Sequence, residues 1–282
     1  MTHEEAFLQD ILECPDDDAP RLIYADWLLD HEELEGSAKA ARGELIHVQC
    51  ALARCEPSAR PAELQARERE LLDAHQREWG SLFSRLGCHC WEYRRGFVEG
   101  VGLQAAAFLA QAPALCRATP LRHLKLYDAA SVIARVAASP HLARIRTLDL
   151  EDNDLGDEEI QALAGSPRLA TIRTLLLWSN RIGDAGPRAL ANSPNLAALN
   201  RLDLSANTIG DGGIEALASS PLLGRLVLLD LQRNRIGDEG ARALLASPHA
   251  GAHSWFDLGK NPISAAVKDA LRTRFAGRIH VW

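Results

Sequence analysis

Cys88-His89-Cys90 is the densest group of metal-competent side chains in the sequence. Its Cys-x-Cys spacing is tighter than the Cys-x₂₋₄-Cys of tetrahedral zinc sites, and no second matching pair follows. Alternation along a strand accounts for the three residues, and no metal is expected. Asp26, His47 and the cysteines could together supply acid, base and nucleophile, but no spacing among them fits a known mechanism. Tyr24, Asp26 and Trp27 read as structure: Trp27 in a core and Asp26 holding a backbone group or Arg21, since buried polar groups must find partners. His47 reads as a core or boundary histidine. Asp157, Asp184, Asp211 and Asp238 each follow a glycine. An array of carboxylates could hold calcium, yet capping of the helix that starts at each one explains all four by one mechanism. No catalytic residue, cofactor or metal is therefore expected, and the chain reads as non-enzymatic.

The elements that position these residues are repeats. Asn153, Asn180, Asn207, Asn234 and Asn261 recur every 27 residues, and Ser139-Pro140, Ser166-Pro167, Ser193-Pro194, Ser220-Pro221 and Ser247-Pro248 keep the same step. Two markers in one register identify a repeat array. Leu148 and Leu150 alternate as inward residues of a short parallel strand, Leu155 packs under the turn that leaves it, and Ala162-Leu163 return a helix to the sheet. The asparagine suits the bend because its amide both donates to and accepts from backbone groups left unpaired there, so successive asparagines should form a ladder. Leu121–Leu126 opens a degenerate turn with Ala129 near the asparagine position. Asn261-Pro262-Ile263 lacks the Gly-Asp pair, and Arg278–Trp282 reads as a closing strand.

Aligned on Ile145-x-x-Leu148-x-Leu150-x-x-Asn153-x-Leu155 and Ala162-Leu163, these units resemble leucine-rich repeats of the ribonuclease-inhibitor type, over roughly residues 97–282. The resemblance implies an α/β right-handed solenoid with parallel strands on the concave face and helices on the convex face. Before it, helical spacing predicts helices over 2–13, about 20–30, 38–54 and 61–79, a small all-α domain. Within it, Pro20–Leu28, Arg42–Leu52 and Trp91–Val98 resemble the bacterial repeat-companion domain, which precedes repeat modules and brings no catalytic residues with it. The expected division is a helical domain over 1–95 and the repeats over 96–282, with capping strands at about 91–103 and 278–282.

Residues 1–95 carry 11 Lys/Arg against 20 Asp/Glu, a balance of 11 − 20 = −9, while the remainder carries 20 against 18. An acidic first third disfavours nucleic acid and anionic membranes. No apolar run approaches the roughly 20 residues that span a bilayer, and the start of the chain is acidic rather than signal-like. A cytoplasmic monomer with reduced cysteines is the default expectation.

Function is then expected between the inward leucines, where side chains of the strands project from the concave face. The columns read His123, Lys125, Tyr127; Thr147, Asp149, Glu151; Thr174, Leu176, Trp178; Arg201, Asp203, Ser205; Leu228, Asp230, Gln232; and Trp255, Asp257, Gly259. An acidic middle column interrupted by Leu176, beside exposed Tyr127, Trp178 and Trp255, has the composition of a protein interface. The candidate contact residues are Tyr127, Asp149, Glu151, Leu176, Trp178, Arg201, Asp203, Asp230, Trp255 and Asp257. Neighbouring arginines, Arg146, Arg173, Arg201 and Arg233, could instead neutralise the aspartates. The expected partner is a protein with a basic or mixed-charge surface. Regulation of an enzyme, such as activation of a GTPase or inhibition, is the alternative, with Asn180, Arg181, Asn234 and Arg235 as the residues to test.

Overall fold

The computed structural model describes residues 2–30, 37–251 and 254–282. It divides into two compact units, Met1–Gly102 with Gln111–Arg122, and Leu103–Ala110 with His123–Trp282.

The first unit is built from α1 (His3–Glu13), α2 (Ala19–Asp30), α3 (Ala38–Ala53), α4 (Ala62–Trp79) and α5 (Ser81–Arg85), then strands β1 (Cys88–Arg94) and β2 (Phe97–Gln104). Thr2 and Glu5 form a capping box at the start of α1, and Ser37 caps α3, each satisfying amides that the first turn leaves orphaned. Ile11, Tyr24, Ala25, Leu28, Ile46, Cys50 and Phe97 form the core, with Phe7 and Trp27 packed on it. α2 and α3 pack closely at Gly43, where a Cβ would lie 2.9 Å from the Ala25 carbonyl oxygen. Between the strands, Gly96 adopts φ +79°, and a Cβ there would strike Ile46; only glycine meets both demands. The expected helices are present, but this unit also contains a pair of strands, and β1 begins at Cys88 rather than near Trp91.

A buried charge cluster ties the ends of this unit together. Arg21, fully buried, donates from Nη2 to Glu99 Oε1 at 2.8 Å and to the Pro15 carbonyl at 2.8 Å. Arg95 donates to the same carboxylate oxygen at 2.8 Å, and Arg122 pairs with Asp16 at 2.9 Å. Burial raises the Glu99 carboxyl above its ordinary range, with Arg21 and Arg95 pulling it back. Asp26 was expected to hold a backbone group or Arg21; the structure pairs Arg21 with Glu99, while Asp26 bonds to His47 Nε2 at 2.8 Å.

Helix α6 (Ala105–Ala118) follows β2, with Pro113 inside it. The second unit then repeats one plan. Strands β3 (His123–Tyr127), β4 (Thr147–Asp149), β5 (Thr174–Leu176), β6 (Arg201–Asp203), β7 (Leu228–Asp230), β8 (Trp255–Asp257) and β9 (Ile279–His280) pair in parallel, each with the next. Between them run α7 (Ile133–Ala138), α8 (Asp157–Ala164), α9 (Ala185–Ala191), α10 (Asp211–Ala218), α11 (Pro221–Arg225), α12 (Asp238–Ala246) and α13 (Ala265–Phe275), with 3₁₀ turns at Pro140–Arg144 and Pro167–Thr171. It is a leucine-rich repeat solenoid, a parallel sheet backed by helices. Leu148, Leu150, Leu155, Ile160 and Leu163 are fully buried, as are their counterparts one turn on. Each such side chain contributes about 2 kcal/mol of burial.

Three hydrogen-bond ladders join one turn to the next. Asn207 accepts from the Ile182 amide at 3.0 Å and donates to the Leu177 and Leu204 carbonyls, both at 3.0 Å. Asn180, Asn234 and Asn261 repeat the pattern. In the degenerate first turn, the Ala129 amide donates to Asn153 at 2.7 Å. The serines of the Ser-Pro steps donate 29 residues back: Ser193 to Ala164 at 2.6 Å, Ser220 to Ala191 at 2.6 Å, and likewise Ser166 and Ser247.

The third ladder corrects an expectation. Asp157, Asp211 and Asp238 lie in the first helical position after glycine caps, and Asp184 bonds no amide of its own helix. Each instead closes the start of the following helix. Asp157 Oδ1 accepts from Gly183 and Gly186 at 2.9 and 2.8 Å, and Asp184 from Gly210 at 2.6 Å. Asp211 accepts from Gly237 and Gly240 at 2.6 and 2.9 Å, and Asp238 from Ser264 at 2.8 Å. At Gly240 a Cβ would sit 2.7 Å from Asp211 Oδ1, so the carboxylate's approach requires the glycine.

Candidate functional site

The strand register sets the site. Lys125, Asp149, Leu176, Asp203, Asp230, Asp257 and His280 stand opposite one another on successive strands, one row across the sheet. The preceding row is His123, Thr147, Thr174, Arg201, Leu228 and Trp255. Their flanking leucines are buried while these side chains are half-buried or exposed, so alternation divides each strand between core and open face.

The acidic row is neutralised by a lysine at one end and hydrogen-bonded by a histidine at the other. Lys125 Nζ lies 2.8 Å from Asp149 and 3.2 Å from Glu151. At the other end His280 Nδ1 lies 2.8 and 2.9 Å from the two oxygens of Asp257, which also accepts from the Gln232 side-chain amide. Lys125 and the His280 imidazole meet the ends of the row where the sequence pointed to neighbouring arginines. His280 was not in the expected set, because it sits 280 − 257 = 23 residues after Asp257 rather than 27.

The centre of the row keeps its charge. Asp203 and Asp230 face each other across β6 and β7. Asp203 Oδ1 accepts from the Ser205 amide and hydroxyl at 2.8 and 2.5 Å, and Asp230 from the Gln232 amide at 2.9 Å. Burial first, then the charges of Asp203 and Asp257, push the Asp230 carboxyl up to about 6, against the pull of the Gln232 amide and His280. A half-buried carboxylate between two others is poorly compensated.

The apolar members lie beside it. Trp178 and Trp255 are 40% and 43% exposed, Val227 is 48% exposed, and Leu176 and Leu228 are half-buried. Tyr127 takes the Lys125 ammonium over its ring at 5.9 Å. Arg201 is exposed. Of the expected contact residues, the register places Asp149, Leu176, Arg201, Asp203, Asp230, Trp255 and Asp257 in these two rows, with Leu228 and His280; Tyr127 ends β3, Glu151 meets Lys125, and Trp178 lies two residues beyond β5.

Other expected positions are occupied by structural work. Ser205 is buried against Asp203, and Gly259 is buried. Asn180 and Asn234 belong to the ladder and are buried, and Arg181 pairs with Asp154 at 2.7 Å. In the first unit, the Asp26–His47 pair is exposed. Burial pushes the Cys50 and Cys88 thiols up to about 11, away from nucleophilic character at neutral pH. Cys88 is buried on β1 while Cys90 is exposed. Among the described residues no cluster of three metal-binding side chains occurs, and no helix is long and apolar enough to cross a membrane.

Residues 143–164, 198–218 and 226–245 match the family described as Leucine Rich repeat. No curated protein matches the chain. Among solved structures, an internalin from Listeria monocytogenes aligns at 17% identity and TM-score 0.34. The alignment covers 64% of this chain and 57% of that one, so it spans less than two thirds of the internalin's length.

Proposed function

We propose that the concave strand face binds a protein partner and that the chain acts as a non-enzymatic interaction module or scaffold. The observation that carries this reading is half-buried Leu176 at the end of β5 and exposed Trp178 two residues beyond it, with an acidic row whose central members, Asp203 and Asp230, have no cation of their own among the described ion pairs. An aromatic anchor ringed by polar groups is the usual composition of an interface hot spot. A face that presents Trp178, Trp255 and Leu228 around uncompensated carboxylates calls for a partner with a basic segment and an apolar side chain to seat beside it. A bound lysine or arginine over Asp203 and Asp230 relieves their mutual repulsion.

This reading predicts salt-sensitive association, since the central pair is half-exposed and screening weakens it. Capture of interacting proteins by the intact chain, compared with the Trp178→Ala and Asp203→Ala variants, tests it. Loss of the same partner from both variants supports the reading, and unchanged capture by both refutes it.

A further inference from the structure

A second buried guanidinium of the first unit has no acid beside it among the described residues. Arg42, on α3, sits with its guanidinium carbon 5.2 Å from the ring centre of Trp79, 5.5 Å from Tyr93 and 5.1 Å from Phe97. These rings attract the cation but accept none of its in-plane N–H bonds. Its Nε is buried without a hydrogen-bond partner, and among the described residues no carboxylate pairs with it. Every other arginine this deeply set in the unit has an acid: Arg21 and Arg95 share Glu99, and Arg122 has Asp16. Burial draws the Arg42 guanidinium below its ordinary range, partly offset by the Tyr93 and Tyr24 phenols, yet arginine stays protonated.

Arg42 lines a cavity of about 340 Å³, near the lower end of small-molecule pockets, roughly 300–1,000 Å³. Leu8, Leu28, Phe83 and Phe97 give it apolar walls, with Glu4 and Glu78 also on the lining. Glu4 is already spoken for, accepting from the Tyr24 hydroxyl at 2.9 Å and from Lys39 at 2.7 Å. Lys39, the other cation on the lining, is held by Glu4, so among the described lining residues Arg42 is the cation without a carboxylate. Two acidic side chains on the wall disfavour a dianion such as phosphate, and the apolar walls favour a ligand with a hydrophobic body.

We propose that this cavity binds a small monocarboxylate with an aromatic or branched apolar body, its carboxylate held by the Arg42 guanidinium and its body against Leu8, Leu28 and Phe83. Planar carboxylate and planar guanidinium match in two parallel hydrogen bonds. The site is independent of the strand face and would serve ligand sensing by this unit.

Isothermal titration calorimetry on the full chain tests this with phenylacetate, its neutral analogue phenylacetamide, and inorganic phosphate. Phenylacetate should saturate one site with a dissociation constant below about 1 mM, with phenylacetamide and phosphate each at least about tenfold weaker. Arg42→Gln should weaken phenylacetate by about tenfold or more, and Leu8→Trp, which fills the cavity while leaving Arg42 in place, should do the same. Equal binding of acid and amide, tighter binding of phosphate, or no phenylacetate heat up to about 10 mM would overturn the proposal, and these wild-type comparisons do not depend on either variant folding.

Discussion

Asp203 and Asp230 stand directly opposite each other on neighbouring parallel strands, in register from Arg201–Leu228 to the carboxylates themselves. Like charges in this arrangement repel, and the sheet leaves them little room to part. Lys125 and His280 compensate only the ends of the row. The solenoid thus carries a local electrostatic cost at the middle of its open face.

That cost has a pH signature. The Asp230 carboxyl titrates near 6 in the folded protein, above its unfolded value of about 3.9. The folded state therefore binds the proton more tightly, and stability from this group falls as pH rises from about 4 to about 6. Asp230→Asn should stabilise the protein by about 1 kcal/mol at pH 7.5, after discounting for the solvent that reaches the half-buried group, and should change little at pH 4. Thermal denaturation of both proteins across this pH range is the check; equal gain at both ends contradicts the assignment.

The carboxylate ladder gives a prediction about the joints between turns. Asp211 accepts two amides of the next turn at 2.6 and 2.9 Å. Asp211→Ala leaves both orphaned at the start of α12 and should cost about 2 kcal/mol. The loss should appear in hydrogen exchange as lowered protection of the Gly237 and Gly240 amides. If protection falls at Gly213 and Ile214, within α10 itself, the carboxylate acts on its own helix after all.

Glu99 holds one buried and one half-buried guanidinium group. Glu99→Ala strands Arg21 in a fully buried site and should destabilise the first unit by about 3–5 kcal/mol. Replacing the pair together, as Arg21→Met with Glu99→Leu, should recover part of the loss, because Arg21 is then no longer stranded while half-buried Arg95 keeps Asp18 at 3.4 Å and the Pro15 carbonyl. Chemical denaturation of Glu99→Ala, of Arg21→Met and Glu99→Leu singly, and of the double variant measures both effects, and additive losses in the double variant would argue against the pair.

The thiols should separate by accessibility. Cys14 and Cys90 are exposed, whereas Cys50, Cys88 and Cys116 are buried. A maleimide at neutral pH should label Cys14 and Cys90 within minutes and leave Cys50 and Cys88, whose thiols are raised to about 11, unmodified until unfolding. Peptide mapping identifies the labelled positions.

What the sequence revealed and what it hid follow one physical divide. Features enforced in every turn are legible: the buried Leu148 and Leu150 pair, the asparagine ladder and the Ser-Pro step each repeat because each turn meets the same neighbour. Periodicity also conceals, since a string with an aspartate before every helix cannot say whether Asp211 serves α10 or α12; only coordinates separate them. The row of facing aspartates was legible from strand alternation, but the partners at its ends were not. Lys125 belongs to a degenerate turn, and His280 to a closing turn whose spacing breaks the period. Ser205 looked available because alternation points it outward, yet its hydroxyl turns to Asp203 and is covered. In the first unit, Arg21 and Glu99 are 78 residues apart, and Arg42 is visible only as one residue of the Arg42–Leu52 segment, whose spacing says nothing of the rings it packs among or of the missing acid among the described residues.

The central claim is that Trp178 and the acidic row contact a protein directly. A photo-crosslinking amino acid placed at Trp178, on the open face, and another at Glu158, exposed on α8, test this in the otherwise intact chain. The account predicts a discrete crosslinked partner from position 178 that fades with added salt and with Asp203→Ala, and none of that species from position 158. The same crosslink from both positions, or from neither, would contradict it.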